Sequence, residues 1–455
     1  MLKEASDPHP PDGAGAQISM SFPSLILAIE SLDSEGRGVA HGPEGKVAFV
    51  EGALPGESVE ASVVCRKPTF DVARTINVLQ PSSGRRAPRC PHFGVCGGCA
   101  TQHADARTQV AAKQRWLEDS LARIGKIAPE TILPPIYGTE WGYRHRARFS
   151  VRRVAKKGGV LVGFRERRSS YVTDMRECHV VPAHVSALIP ALRAMLETLS
   201  VRERVPQIEL AVGDDVTVLV FRTLVPLSPS DESRLREFAD AHAIWAWIQP
   251  HGPDTAYPFH PTGDRRLDYG LPEFGVRIAF RPTDFTQVNH AVNRVLVSRA
   301  VRLLDPRPGE HVGDLFCGLG NFALPIARSG ARVTALEGSD RLVAGARQNA
   351  EDNGLGASVR FEREDLFHMS AERLGTYGPF DKLLIDPPRE GAVELAKALP
   401  ETWPRAIVYV SCDPGTLARD ASILVSTKGF RLTAAGVVNM FPHTAHVESI
   451  ALFCR

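Results

Sequence analysis

Three stretches of the chain end an apolar run in a side chain that could do chemistry. The run IVYVS (407–411) is followed by Cys412, on a turn that contains Pro414 and Gly415. A buried strand that leads into such a turn places its next side chain at the edge of a sheet, where open α/β sheets bind their ligands. Cys412 is therefore a candidate nucleophile. The segments DLFCGLG (314–320) and DPPR (386–389) end two more apolar runs in the same way.

The segment 314–320 joins a predicted strand to a predicted helix, and its glycines would let a cofactor lie against the turn. The next predicted strand ends in an acid, Glu337. An acid in this place can bind ribose hydroxyls, so the pair predicts a cofactor that contains adenosine. These residues alone do not separate NAD from S-adenosylmethionine, and a purely structural turn is the alternative.

The DPPR segment places Asp386 at the end of a predicted middle strand, where two prolines would fix the backbone and present a carboxylate to a planar ring. Enzymes that methylate exocyclic amines prefer an aromatic residue where Arg389 stands, so a carbon target is favoured. Methylation of a ring carbon needs a nucleophile such as Cys412 and then a base that removes the carbon-bound proton. Glu448, on the last predicted strand, is the candidate base. Taken singly, a buried Cys412 and a surface Glu448 would be the simpler interpretations.

Three of the eight cysteines form a cluster, Cys90, Cys96 and Cys99, and Cys178 is available to complete a set of four. A tight cluster points to metal ligation, because cytosolic redox conditions disfavour structural disulfides. The spacing is not the paired C-x2-C of most zinc sites, so a [4Fe-4S] cluster is favoured over zinc. Three thiols without a ligand, at Cys90, Cys96 and Cys99, are the third interpretation.

The charge of the chain is concentrated in one region. The formal net charge is only +2, but residues 141–177 contain eleven Lys and Arg against three acids. Such a segment suits phosphate groups, although a solvated hairpin surface would have the same composition. No run of 18 apolar residues and no signal sequence is present, so we expect a cytoplasmic protein with no membrane partner. We also expect the protein to be a monomer.

A chain of 455 residues should contain two or three domains. We predict a disordered tail over 1–20, a small OB-like β-barrel over 21–83, and a strand-rich central domain over 84–280 that carries the cluster and the basic surface. A helix near 105–124 could pack on the catalytic domain. From 281 to 455, strands and helices alternate, which predicts a doubly wound α/β sheet.

Together these residues resemble the RNA uracil-C5 methyltransferase family, over nearly the whole chain after the tail. Residues 24–80 are similar to a TRAM domain, which is an RNA-binding barrel. The resemblance implies a Rossmann-like methyltransferase domain, S-adenosylmethionine as methyl donor, a [4Fe-4S] cluster in the central domain, and RNA as partner. A barrel combined with four cysteines favours the branch of the family that acts on 23S rRNA.

The resemblance also implies roles for individual residues. Cys412 would be the nucleophile toward uracil C6, Glu448 would remove the C5 proton, and Asp386 would position the uracil and the cofactor. The residues expected to bind the cofactor are Gln287, Phe316, Asn321, Glu337, Asp365 and Asp386. The expected cluster ligands are Cys90, Cys96, Cys99 and Cys178.

Two residues depart from the pattern of the family. Asp413 replaces the usual asparagine after the nucleophile, and an anion there disfavours a thiolate unless its side chain turns away. Asp365 replaces an asparagine, but either residue can accept a hydrogen bond. Three other functions stay open: a tRNA uracil-C5 methyltransferase, an N6-type amine methyltransferase, and an inactive RNA-binding assembly factor.

Overall fold

The computed structural model describes residues 24–263 and 266–455. The tail predicted for residues 1–20 lies outside these ranges. The described chain divides into two compact units, of which the first comprises 24–33 and 37–82 and the second comprises 34–36 and 83–455.

The first unit is a single sheet of six short strands. These are β1 (Ser24–Ala28), β2 (Ser31–Leu32), β3 (Gly38–His41), β4 (Val47–Glu51), β5 (Ser58–Arg66) and β6 (Phe70–Gln80). Their order is β1-β5-β6-β4-β3-β2, and only β4 and β6 pair in parallel. Along β5 the buried residues Val59, Ala61 and Val63 alternate with less buried ones, so one face of the strand forms the core of the unit.

The second unit begins with the elements that lie between residues 106 and 279. They are α1 (Ala106–Ser120), β7 (Thr131–Ile132), β8 (Arg146–Val154), β9 (Gly159–Gly163), α2 (Ala183–Thr198), β10 (Gln207–Val212), β11 (Thr217–Arg222), α3 (Pro229–Ala241), β12 (Trp245–Gln249), β13 (Tyr257–His260), β14 (Asp268–Leu271) and β15 (Val276–Ala279). One mixed sheet has the order β13-β12-β11-β10-β8-β9, and β14 and β15 form a separate hairpin.

The remaining elements alternate between helix and strand, except that the last two are both strands. They are α4 (His290–Leu304), β16 (His311–Leu315), α5 (Ala323–Ala327), β17 (Arg332–Glu337), α6 (Asp340–Asp352), β18 (Val359–Arg363), α7 (Ala371–Gly375), β19 (Lys382–Ile385), α8 (Val393–Ala398), β20 (Ala406–Ser411), α9 (Pro414–Ser426), β21 (Arg431–Val438) and β22 (Glu448–Cys454). The predicted doubly wound α/β architecture is therefore present.

The large sheet brings the chemically interesting strand ends together. Its order is β18-β17-β16-β19-β20-β22-β21-β7, in which β16 to β20 run parallel and β22 runs antiparallel to both of its neighbours. The chain passes from β16 outward to β18 and then returns to β19, so the sheet has a switch point between β16 and β19. Ligands of open α/β sheets bind at the carboxyl ends of strands beside such a point.

Both faces of this sheet are covered. On one face, Leu296 and Val297 of α4 share a core with residues of β16, β17 and the β14–β15 hairpin. On the other face, Leu117 of α1 and Leu417 of α9 share a second core with Ile407 of β20. Among the helices of the described residues, none is both long and apolar enough to cross a membrane.

The prediction of an iron–sulfur domain is wrong. A metal centre needs at least three donor side chains that converge on one point, and within 24–263 and 266–455 no group of three or more His, Cys, Asp or Glu residues is placed to hold a metal ion. Cys90, Cys96, Cys99 and Cys178 instead line a cavity of about 20 Å³, which is the scale of one water molecule. Burial raises the pKa of the Cys99 thiol to about 12 and that of Cys178 to about 11.

Candidate active site

Cys412 lies between the end of β20 and the start of α9, and its side chain is partly accessible. The next residue, Asp413, is the N-cap of α9. Its Oδ1 accepts hydrogen bonds from the backbone N–H groups of Gly415 (2.8 Å) and Thr416 (3.0 Å). The carboxylate is therefore committed to the first turn of the helix, where the helix dipole favours a negative charge.

Two carboxyl groups lie at the same edge of the sheet as Cys412. Asp386 follows β19, which pairs in parallel with β20. Glu448 is the first residue of β22, and its neighbour Ser449 pairs with Ser411 in the antiparallel β20–β22 ladder. Glu448 is only 3% exposed, whereas Asp386 is half-buried. The three predicted catalytic residues are thus presented by three adjacent strands.

Burial raises the pKa of all three groups, and the carboxyl charges add to this effect at Glu448 and Cys412. Burial raises the pKa of Asp386 to about 7, and burial together with the charge of Asp386 raises the pKa of Glu448 to about 8. The pKa of the Cys412 thiol rises to about 12, first because of burial and then because of the charges of Glu448 and Asp386. Asp413 is not among the groups that raise it. The surroundings therefore disfavour the charged form of each of the three groups.

Arg389 opposes this trend. It is exposed, its charge lowers the pKa of the Cys412 thiol, and its guanidinium contacts the Nδ1 of His446 at 3.2 Å. Arg389, which is not aromatic and so does not suit an amine target, is thus a cation that acts on Cys412, the predicted nucleophile.

A second group of predicted residues surrounds the turn after β16. Phe316 has φ of 66° and Gly318 has φ of 53°, both in the left-handed region. The two oxygens of Glu337 accept hydrogen bonds from the backbone N–H groups of Gly318 (3.1 Å) and Ser339 (3.1 Å), so this acid ties the turn to the end of β17. A Cβ added to Gly318 would meet no atom within 4 Å. The turn therefore has open space in front of it, which fits a ligand that lies against the backbone.

Asn321 and Gln287 are the other two buried or half-buried residues predicted to bind the cofactor. The Oδ1 of Asn321 accepts hydrogen bonds from the Tyr269 hydroxyl (3.0 Å) and from the amide of Asn293 (2.9 Å), and its own amide donates to Asn293 at 3.1 Å. Its orientation is therefore fixed by protein contacts. Gln287 is 8% exposed and lies just before α4.

Asp365 differs from the other predicted cofactor residues because its side chain is exposed. Its Oδ1 accepts from the Phe367 N–H (3.0 Å) and its Oδ2 contacts the ring of His368 at 2.8 Å. Phe367 is a residue that the sequence analysis missed. Its ring lies edge-on to that of Phe316, with centroids 5.6 Å apart. Its position two residues after Asp365 was the available signal.

Two more residues of interest were not chosen from the sequence. Asp314, at the head of the glycine turn, is fully buried, and burial and the charges of Asp386 and Glu337 raise its pKa. Phe285, two residues before Gln287, is 73% exposed although it is a large aromatic residue. An exposed ring beside a predicted site is a typical platform for a nucleic-acid base.

The basic segment 141–177 is less uniformly charged than its composition suggests. Arg148 pairs with Glu209 at 3.1 Å, and Arg153 pairs with Glu197 at 3.1 Å and Glu203 at 3.3 Å. By contrast, three exposed cations have no acidic partner in the part of the chain that the structure describes. They are Arg152, Lys156 and Arg165.

Comparison with known proteins agrees with this geometry. The family model described as tRNA (Uracil-5-)-methyltransferase matches residues 275–455, and that of the TRAM domain matches 27–70. The 23S rRNA (uracil(1939)-C(5))-methyltransferase RlmD of Nitrosospira multiformis is 60% identical, over 95% of this chain and 98% of the relative. The chain belongs to the RNA uracil-C5 methyltransferase family. Another member, the RlmD enzyme of Dechloromonas aromatica, is 58% identical over 94% of this chain and 99% of its own length.

The fold of the family is also seen in a solved structure. The tRNA (uracil-54, C5)-methyltransferase of Pyrococcus abyssi superposes with a TM-score of 0.73 over 94% of this chain and 100% of that protein, at 24% identity. At this identity the likeness establishes the fold alone. The methyltransferase and TRAM parts of the predicted fold are therefore confirmed.

Proposed function

We propose that this protein methylates C5 of a uridine in 23S rRNA, with S-adenosylmethionine as donor and with Cys412 as a covalent nucleophile. The observation that carries the proposal is the meeting of Cys412, Asp386 and Glu448 at the carboxyl edge of the sheet. The names of the relatives support uracil 1939 as the target.

We propose that the cofactor lies against the Gly318 turn. Phe316 and Phe367 would contact its adenine, Glu337 and Asp365 would accept hydrogen bonds from its hydroxyl and amino groups, and Gln287, Asn321 and Asp386 would line the rest. When bound, S-adenosylmethionine supplies an electrophilic methyl group for transfer to C5. The open space at Gly318 and the acid at the end of β17 support this assignment.

The protein residues would carry the chemistry in a fixed order. The Cys412 thiolate adds to uracil C6, and the electrons of the C5–C6 double bond move toward O4, which makes C5 nucleophilic. Asp386 positions the ring, and the positive charge of Arg389 favours the thiolate. After C5 is methylated, Glu448 removes the C5 proton, the double bond re-forms, and the Cys412 thiolate leaves.

The RNA would be held by charge and stacking. Arg152, Lys156 and Arg165 can contact phosphates, and exposed Phe285 and Tyr171, which is 72% exposed, can stack on unpaired bases. A uridine within a helix hides its C6, so the target must be extruded or already unpaired. We also propose that the chain works as a monomer in the cytoplasm, where ribosomal RNA is assembled.

The test is methylation of a 23S rRNA fragment that contains uracil 1939 by the purified protein. Cys412→Ala should lower activity by at least about 1,000-fold, because no covalent activation of the ring remains. Cys454→Ala, on the neighbouring strand β22, is the matched control and should keep activity. Fragments with 5-fluorouridine should form a covalent complex with the wild-type protein that survives denaturing electrophoresis. The same fragments should form no such complex with the Cys412→Ala protein.

Other outcomes would select the other functions. Methylation of tRNA but not of the 23S fragment would indicate a tRNA enzyme. A Cys412→Ala protein that still methylates RNA would indicate an amine methyltransferase without a covalent step. Absence of methylation and of S-adenosylmethionine binding by calorimetry would indicate an RNA-binding assembly factor.

A further inference from the structure

The loop between β21 and β22, residues 439–447, ends at Glu448 and is bound tightly to another part of the second unit. The backbone turns sharply at His443, the fifth residue of the loop, where φ is 64°. A non-glycine residue in this left-handed region is strained and persists only where its surroundings hold it. His443 is only 1% exposed.

Gln109 of α1 holds His443 by both ends of its amide. The Gln109 Oε1 accepts a hydrogen bond from the His443 backbone N–H (2.7 Å), and the Gln109 Nε2 donates to the His443 Nδ1 (3.1 Å). Burial lowers the pKa of His443 to about 4, so the ring is neutral at physiological pH. Because Nδ1 accepts, Nε2 must carry the proton, and a single tautomer is selected.

Four other contacts hold the same residue and its neighbour Pro442. The His443 carbonyl accepts hydrogen bonds from the backbone N–H groups of Ala100 (2.7 Å) and Thr101 (3.0 Å). The His443 ring stacks on Trp141 with centroids 4.0 Å apart. The Tyr143 hydroxyl donates to the carbonyl of Pro442 at 2.9 Å.

Lys113, one turn along α1 from Gln109, fixes the first part of the loop. Its ammonium group is buried and donates to the Asn439 Oδ1 (2.7 Å) and to the Phe441 carbonyl (2.9 Å). The loop is thus held at Asn439, Phe441, Pro442 and His443 by residues far away in sequence.

This anchoring matters for one catalytic group more than for the others. Cys412 and Asp386 each follow a strand in the middle of the sheet, with partners on both sides. Glu448 instead directly follows the loop, as the first residue of β22. The position of the Glu448 carboxyl therefore depends on the loop as well as on the sheet.

We propose that His443 is a positioning residue, through which Gln109 and the segment 100–101 hold Glu448 in place to remove the C5 proton. The inference rests on the proposed function. In the step concerned, the Glu448 carboxylate takes the proton from methylated C5, the C–H electron pair forms the C5–C6 double bond, and the C6–S pair leaves with the Cys412 thiolate. A base must lie within about 2.6–3.2 Å of the atom that holds the proton, and a shift of about 1 Å can slow a step about 100-fold.

Loosening the loop should therefore impair the last step and spare the earlier ones. In Gln109→Leu and His443→Ala, we expect adduct formation with 5-fluorouridine RNA to stay within about 3-fold of wild type, because that reaction needs Cys412 but no proton removal. With ordinary RNA and S-adenosylmethionine, turnover should fall by about 10- to 100-fold. The methylated RNA should accumulate as a covalent complex on denaturing gels.

Gln114→Leu is the matched control. Gln114 lies on the same helix and accepts a hydrogen bond from the Val437 N–H (3.3 Å), so it contacts strand β21 rather than the loop. The Gln114→Leu protein should methylate RNA at the wild-type rate, and no covalent RNA complex should accumulate. Melting curves of all variants report whether they are folded.

The proposal is overturned if adduct formation and turnover fall together in folded Gln109→Leu, since the contact would then support the whole site and not the position of Glu448 in particular. It is also overturned if turnover is unchanged in both variants. If the wild type itself forms no adduct and methylates no RNA, the proposed function fails instead, and the two failures are thus distinguishable.

Discussion

At the scale of single residues, the candidate site concentrates three acidic groups where burial disfavours their charges. The pKa values of Asp386, Glu448 and Cys412 are raised to about 7, 8 and 12. Covalent methylation requires a thiolate and later a carboxylate base, but not both at once. A site that disfavours two negative charges at the same time suits this order, because the thiolate has become a neutral thioether in the adduct before the carboxylate base is needed. Arg389 lowers the pKa of Cys412 and would therefore favour the thiolate in the proposed first step.

Glu448 should make stability depend on pH. Its pKa is about 8 in the folded protein and near 4.5 in the unfolded chain, so the folded state binds more protons between these values and the free energy of unfolding falls as pH rises from about 4.5 to 8. The full effect is up to about 5 kcal/mol. Glu448→Gln removes the charge and should raise the melting temperature at pH 9 much more than at pH 5. Equal changes at both pH values would contradict the raised pKa.

Residue types and strand ends were enough to predict where this chemistry gathers. Asp386 and Cys412 each follow an apolar run, and parallel strands place such residues at one edge of a sheet. The direction of a side chain was not predictable in the same way. The sequence placed the Asp413 carboxylate next to a thiol, but the structure turns it into the first turn of α9. The roles of the individual site residues stay predictions.

At the scale of elements, Asp413 is a helix cap rather than a neighbour that suppresses the nucleophile. Asparagine is an equally good N-cap, so Asp413→Asn should leave the melting temperature nearly unchanged and should shift the pH profile of Cys412 alkylation by iodoacetamide only slightly. Asp413→Ala should lose about 1 kcal/mol of stability, because the N–H groups of Gly415 and Thr416 lose their acceptor. A marked acid shift of the alkylation profile in Asp413→Asn would show that the carboxylate does act on the thiol.

The β8–β9 hairpin offers a test of the RNA surface. Arg152 and Lys156 are exposed and have no acidic partner among residues 24–263 and 266–455, whereas Arg153 is held by Glu197 and Glu203. Replacing Arg152 and Lys156 by Ala should raise the KM for RNA about 10-fold. The number of phosphate contacts, calculated from the salt dependence of binding, should fall by roughly one to two. The KM for S-adenosylmethionine should not change. Arg153→Ala should have a smaller effect, and a larger one would place the RNA elsewhere.

At the scale of the whole molecule, the sequence predicted the architecture better than the contacts between distant segments. The alternation of strands and helices after residue 281 predicts a doubly wound sheet because the pattern is local. Whether four cysteines converge on one point depends on how segments about 80 residues apart pack together. The spacing of the cysteines does not contain this information, and the iron–sulfur prediction based on it was wrong. The contact of Gln109 with His443 joins residues 334 positions apart and has no local signal. The predicted domain boundaries stay predictions.

The first unit has its own core around Leu27, Val50 and Val59 and contains most of the residues that match the TRAM domain. Because this unit has a core of its own, we expect removal of residues 1–82 to weaken RNA binding without altering the proposed cofactor site. We expect the KM for the 23S fragment to rise about 10-fold or more, by loss of phosphate contacts, and the affinity for S-adenosylmethionine measured by calorimetry to stay within about 2-fold. Adduct formation at saturating 5-fluorouridine RNA should persist, since Cys412 and Arg389 remain. Loss of cofactor binding in a truncated protein that melts cooperatively would instead make the first unit part of the catalytic machinery.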